Sequence, residues 1–302
     1  MQVHRGGVET VVRAPAKLNL FFEVLAKRTD GYHEIETLMC PIDLYDTLGF
    51  REEPGEGLEL ECRWGALAGG AEGSGFEQVP RGPSNLVLRA VELLRRRVGL
   101  SRGARLQLVK RIPTAAGLGG GSSDAAAALV AANLGWNLGL ALRELIPLAA
   151  ELGSDVPFFL AGGPAVCRGR GERVEPVAGL GSLDFVVVRP PEGLSTPAVY
   201  GVCRPAETPR SLGALVDAIR KGDARQAGRL LFNRLQSAAE SLSPWIGRLR
   251  RMFDAEDCLG HGMSGSGTAY FGLVHHAGQA RRIARRLRAR GLSCVVAVRS
   301  CI

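Results

Sequence analysis

The sequence lacks several features that would assign it to a class at once. It has no Cys-x-x-Cys pair, and its seven cysteines are scattered and odd in number. A disulfide framework or a zinc site is therefore not expected, and a reducing cytoplasm suits the chain best. The first residues, MQVHRGGVET, contain no apolar run, so no signal peptide is expected. The longest uncharged window, 125–142, is interrupted by Gly135, Gly139, Asn133 and Asn137. It reads as a buried helix and its turn, not as a membrane span. There is no internal repeat. With 46% hydrophobic and 23% charged residues, low-complexity disorder is excluded.

What is present is glycine and positive charge. The 302 residues include 40 glycines, about twice the usual share of roughly 7%. The excess calls for tight turns or close backbone approaches. The net charge of +8 favours anionic partners, among them phosphorylated metabolites. The densest basic run, 281–290, places its arginines on one side of a helix. Ala280, Ile283, Ala284 and Leu287 occupy the other. A solvated surface helix is expected, with an RNA or membrane contact as the other reading.

Alternation and turn signals predict strands at 13–26, 37–50, 58–64, 105–109, 185–189, 269–274 and 294–298. Helices are expected at 85–98, with Ser84 as N-cap, and at 123–134 and 142–152. Further helices are expected at 212–221, 224–239 and 244–253. Residues 65–83 read as an exposed loop. The pattern is α+β, with a change of character after Gly162-Gly163. The expected division is an N-terminal domain, 1–165, and a C-terminal domain, 166–302.

Residues 113–124 carry the strongest chemical signal. Pro113, Gly117, Leu118, Gly119, Gly120, Gly121, Ser122 and Ser123 lie between a strand and a helix. Glycines let backbone N–H groups crowd round an anion, and the helix start adds unpaired N–H groups and a positive dipole end. This is a phosphate site in outline. It is neither a Walker A loop nor a dinucleotide fingerprint. A β-branched residue at Gly120 is expected to crowd the cradle. Two more residues invite chemistry. Lys17 sits in an apolar strand, either snorkelling from an edge or held near a reacting phosphate. Asp155 could cap a short helix, or accept a hydroxyl proton in phosphoryl transfer.

Three motifs now carry a resemblance. They are Ala14-Pro15-Ala16-Lys17-Leu18-Asn19, residues 113–124, and Gly262-Met263-Ser264-Gly265-Ser266-Gly267. In this order they resemble the superfamily of galactokinase, homoserine kinase, mevalonate kinase and phosphomevalonate kinase. Within it, residues 27–38 are similar to the kinases of a cytidine-diphosphate-linked methylerythritol in the non-mevalonate route to isoprenoids. The resemblance runs from about residue 12 to the C-terminus and thins between 175 and 255.

It implies a two-domain fold, the first domain like domain 2 of ribosomal protein S5 and the second ferredoxin-like. It implies ATP and Mg2+ as cofactors, with transfer of the γ-phosphate to the 2-hydroxyl of the acceptor. Carried over by position, Asp155 is the base and Lys17 its partner. Asn85 and Lys110 lie near the adenosine, Asn19 is a polar contact, and Tyr32, His33 and Tyr200 hold the cytosine. The metal ligands are not implied. Beyond Asp155, only Asp124 suggests itself. Residues 233–236, Asn-Arg-Leu-Gln, depart from an Asn-Asp-Leu-Glu-like pattern. A small-molecule partner is expected, with no nucleic acid and no membrane, for a monomer or homodimer. A kinase of another small alcohol, or a non-catalytic RNA binder, are the competing readings.

Overall fold

The computed structural model describes residues 1–7, 9–65, 79–80 and 82–302. Most of the loop expected at 65–83 lies outside the described residues. The first sheet is built on two long antiparallel strands, β2 (Glu9–Lys27) and β3 (His33–Glu53), with β1 (Gln2–Gly6) on the outer edge of β2. Bulges at Pro15/Ala16, Asn19/Phe21 and Val24/Ala26 bend β2. Such irregularities re-aim side chains, and two of them flank Lys17 and Asn19. β5 (Gly103–Lys110) pairs with β3, and β4 (Leu58–Trp64) runs parallel to β5.

Four helices cover this sheet, among them α1 (Leu86–Arg97), α2 (Gly120–Gly135) and α3 (Leu142–Leu152). Alanine dominates α2 because it packs tightly, with Ala125–Ala128 all fully buried. A Cβ on Gly135 would stand 2.3 Å from the Phe50 ring. The fourth, α4 (Val156–Leu160), is short and begins just after Asp155. The hairpin β6 (Ala165–Gly169) and β7 (Arg173–Pro176) then returns to the first half of β3.

The second sheet has the order β10 (Gly260–Met263), β11 (Tyr270–Val274), β8 (Asp184–Arg189) and β12 (Cys294–Arg299), all antiparallel. With α5 (Thr196–Val202), α6 (Gly213–Arg220), α7 (Ala224–Leu230), α8 (Leu235–Leu242), α9 (Pro244–Asp254) and α10 (Ala277–Ala289), it forms a ferredoxin-like half. Its sheet and helices share a core around Val186, Val188, Tyr270, Ile283 and Leu287. No helix among the described residues is long and apolar enough to cross a membrane.

Three expectations are corrected. Asn85, not Ser84, caps α1: its Oδ1 accepts the Val87 N–H at 2.8 Å. The helix expected at 224–239 is two helices. Residues Phe232–Asn233 leave helical form as a short strand, β9, parallel to β2. The ladder bonds gained there replace helical ones, so the break costs little. Finally, α2 begins at Gly120, three residues early, so Gly120 and Gly121 are its first turn. On α10, the apolar stripe is buried as expected, and Arg286 and Arg290 pair with Glu256.

Candidate active site

The three motifs meet at one place. Lys17 N–H donates to the Leu118 carbonyl at 2.9 Å, and Ala269 N–H donates to the Ala116 carbonyl at 2.9 Å. Ser264 joins them: its hydroxyl accepts from the Asn19 N–H at 3.2 Å and donates to the Gly117 carbonyl at 3.0 Å. Glycine is required twice. Gly117 and Gly119 have φ of 74° and 71°, in the left-handed region. A Cβ on Gly117 would stand 2.1 Å from the Ser264 carbonyl oxygen. One on Gly119 would meet the Phe159 ring at 2.8 Å and the Lys17 stem at 3.0 Å.

These motifs wall a cleft of about 620 Å³. That is room for a ligand of nucleotide size. Gly117, Gly119, Gly265 and Ser266 line it from the glycine motifs. Ile35, Arg170, Thr196 and Tyr200 line it from β3, the β6–β7 turn and α5. Lys17 and Asp155 join the two sets at an ion pair of 3.5 Å, the lysine almost fully buried and the aspartate about a third exposed. Asp155 makes no side-chain cap bond to α4, so its carboxylate remains available to the cleft. The Lys17 ammonium also donates to Asn19 Oδ1, and the Asn19 amide donates to Thr37 Oγ1 at 2.8 Å. The lysine is thus a fixed cation in a partly desolvated site, where charge acts strongly. The first-turn N–H groups of α2, which begins at Gly120, add a positive dipole end to the same loop.

The arrangement suits stabilisation of a transferring phosphoryl group beside a carboxylate. Residues 85–163 match the family described as GHMP kinases N terminal domain, and 215–292 match GHMP kinases C terminal. The chain is 44% identical over 277 residues, covering 91% of itself and 92% of its relative, to 4-diphosphocytidyl-2-C-methyl-D-erythritol kinase of Pelotomaculum thermopropionicum. It belongs to this family of GHMP kinases. The corresponding protein of Shouchella clausii is 37% identical over 278 residues, 92% of this chain and 90% of that one. A crystal structure of 4-(cytidine 5'-diphospho)-2C-methyl-D-erythritol kinase superposes with a TM-score of 0.80 at 37% identity, covering 96% and 98% of the two chains. Homoserine kinase from Cytophaga hutchinsonii, at 20% identity and TM-score 0.73 over 100% and 97%, shares the fold.

Within the kinase, the remaining candidates are placed unevenly. His33 stacks on Tyr200, ring centroids 4.9 Å apart and 29° between planes. Tyr32 stands beside them, half exposed, with the Arg170 guanidinium 4.8 Å above its ring. Burial, then the charge of Lys27, lowers the His33 pKa, so its ring is neutral at neutral pH. Asn85 is committed to the α1 cap and to the Pro80 carbonyl. Leu118 is buried, its carbonyl bonded to Lys17. Ser122 is half-buried in the first turn of α2, but Ser123 is fully buried, which departs from the expected phosphate contact.

Lys110 is also turned inward. Its ammonium is buried between Asp46 and Asp124, beneath the loop. An adenosine contact from that ammonium is not what the structure provides. Asp124, 3% exposed, joins that cluster through one carboxylate oxygen. A Cβ on Gly120 would meet Ile112 at 3.0 Å and Lys110 Nζ at 3.3 Å. The expected damage from Gly120→Val therefore comes from below the cradle, through the interior. The variant should lose both thermal stability and nucleotide affinity, which melting curves with and without an ATP analogue would resolve.

Sequence reasoning missed Arg170, Thr196 and Ser266. Arg170 lies between glycines of positive φ, Gly169 and Gly171, and that local signal could have marked it. Thr196 and Ser266 share a hydroxyl bond of 2.8 Å across the cleft. Nothing local announces that pairing.

Proposed function

We propose that this kinase transfers the γ-phosphate of ATP to the 2-hydroxyl of 4-diphosphocytidyl-2-C-methyl-D-erythritol, a step of the non-mevalonate route to isoprenoids. The observation that carries the reading is the Lys17–Asp155 pair, 3.5 Å apart, in a cleft lined by N–H-rich glycine motifs and by Tyr200. The acceptor oxygen attacks the γ-phosphorus as its proton passes to Asp155, and ADP leaves with the bridging oxygen. Lys17 offsets the charge on the transferring group. Gly117, Gly119, Gly120, Gly121 and Ser122 cradle the triphosphate, and Arg170 is placed to pair with the acceptor's diphosphate. The neutral His33 reads the base edge while Tyr32 and Tyr200 offer ring faces. Residues 1–165 and 166–302 form the two domains in this reading, with β6–β7 packed back on the first sheet.

Among the described residues no three His, Cys, Asp or Glu side chains gather into a metal site. The Asp155 carboxylate, which lines the cleft, is the oxygen donor that would help hold a magnesium ion brought with the nucleotide. When bound, the ion would neutralise charge on the nucleotide's phosphates. The test is turnover of ATP with the cytidine-linked acceptor beside galactose, homoserine and mevalonate. Phosphorylation of only one of the other three would sink the assignment.

A specific pH dependence follows for the base site. The neutral ring of His33 persists below the ordinary imidazole value of about 6.5, because burial disfavours its cation. Acceptor KM should hold steady down through that value and rise only at lower pH. His33→Ala should raise acceptor KM about 10–100-fold, the weight of one or two hydrogen bonds and a stack, with ATP KM unchanged. A shift in ATP KM instead would show that the base lies elsewhere.

A further inference from the structure

The function described above gives residues 233–236 no task. The structure shows what Asn233 touches. Its Nδ2 donates to two carbonyls of the third glycine motif, Met263 at 2.7 Å and Gly265 at 2.8 Å. Its Oδ1 accepts the Leu235 N–H at 2.9 Å. Two acceptors on one side and a donor on the other fix the orientation of the amide.

Asn233 is itself held to the strand that bears Lys17 and Asn19. It pairs with Phe22 in the parallel β9–β2 ladder, and Arg234 N–H donates to the Phe22 carbonyl at 2.8 Å. Next to it, Arg234 grips the fully buried Glu23 through two bonds of 2.7 and 2.9 Å. The far side of the motif faces the reacting groups. A Cβ on Gly265 would stand 3.1 Å from Asn19 Oδ1 and 3.3 Å from Lys17 Nζ. Gly265 and Ser266 line the cleft, and their N–H groups take no partner among the described residues.

We propose that Asn233 is a positioning residue for nucleotide binding. It draws the Met263 and Gly265 carbonyls away from the cleft, so that the third motif presents N–H groups to phosphate, in register with Lys17. Carbonyl oxygens rotated into the cleft would repel the same phosphate. This inference rests on the kinase reading for its ligand, but not on the identity of the acceptor.

The test is the affinity of the full chain for a non-hydrolysable ATP analogue, and for cytidine diphosphate, by calorimetry. Asn233→Asp sets a carboxylate against two carbonyl oxygens. It should weaken the ATP analogue about 10–100-fold at pH about 8, with cytidine diphosphate affinity unchanged. A carboxyl group in that partly buried place has a raised pKa, and once protonated it can donate one of the two bonds. Affinity should therefore recover at least partly at pH about 6, while the wild type stays level. Equal loss of both ligands, or ATP-analogue affinity within twofold of wild type at the higher pH, overturns the proposal. If Asn233→Asp does not fold, Asn233→Ala removes the donors without adding charge. It should cost about tenfold in ATP-analogue affinity alone, and unchanged affinity again overturns the proposal. Absence of acceptor turnover in the wild type would sink the substrate assignment and leave this binding test standing.

Discussion

Asp155→Ala should lower kcat by about 10²–10⁴-fold, the span of a positioned general base, while ATP affinity and folding hold. The geometry sets these limits. Asp155 makes no cap bond to α4, and about a third of its side chain is exposed, so its removal breaks no helix cap. Lys17 loses one anionic neighbour but keeps the Asn19 acceptor. The nucleotide cradle is made of main-chain groups in other segments, so nucleotide should still bind. Single-turnover chemistry measured at saturating ATP separates this outcome from a binding defect. Near-normal turnover would remove Asp155 from the mechanism. A parallel fall in ATP affinity would mean that the carboxylate shapes the cradle.

Lys110→Met should cost about 3–5 kcal/mol of folding stability, the usual cost of breaking a buried ion pair by removing one partner. Lys110 is 2% exposed, Asp46 0% and Asp124 3%. Burial alone would lower the lysine pKa, but the two carboxylates hold it well above its ordinary value. Burial pushes the Asp124 carboxyl up to about 8, with Lys110 drawing it down and Asp46 raising it again. Asp46 in turn accepts the Ile112 N–H at 2.9 Å, together with that of Arg111, and so anchors the chain where it enters the loop. The loss would read as a lower urea midpoint. The cluster also sets a pH signature. A carboxyl whose folded pKa exceeds its unfolded value of about 3.9 contributes fully only below the lower value, and loses its contribution as pH rises through the higher one. Stability should therefore fall as pH rises from about 4 towards about 8, and level off above it. Asp124→Asn should flatten that slope. If the slope persists, Asp124 is not its source.

The same cluster shows where sequence reasoning stops. Lys110 and Asp124 flank the glycine loop in sequence, and each invited a ligand role there. Both side chains point into the core, because β5 ends and α2 begins on the sheet-facing side of the loop. Ser123 follows them, while its neighbour Ser122 stays partly exposed. A helix period tells which residues share a face, but not which face the sheet will cover. Asn233 shows the same limit. Its helical surroundings predicted one continuous helix, and pairing with β2, far away in the chain, overrode them. Local propensity is a weak prior against such tertiary bonds.

The glycine run with which the chemistry began could be read from sequence because its cause is local. Left-handed φ at Gly117 and Gly119 and first-turn N–H groups are properties of a short segment, and they specify an anion cradle wherever they occur. The chain's sequence likewise determined its strands and most of its helices through periodicity, and its family through three motifs in order. Only the tertiary structure decided which charges face the cleft. It set Lys17 beside Asp155 across two elements, buried Lys110 under the loop, stacked His33 on Tyr200, and brought Arg170 and Ser266 to the same cleft. Each of these depends on how the two sheets pack and on which carboxylate a lysine meets once water is excluded. No residue's neighbours in sequence carry that information.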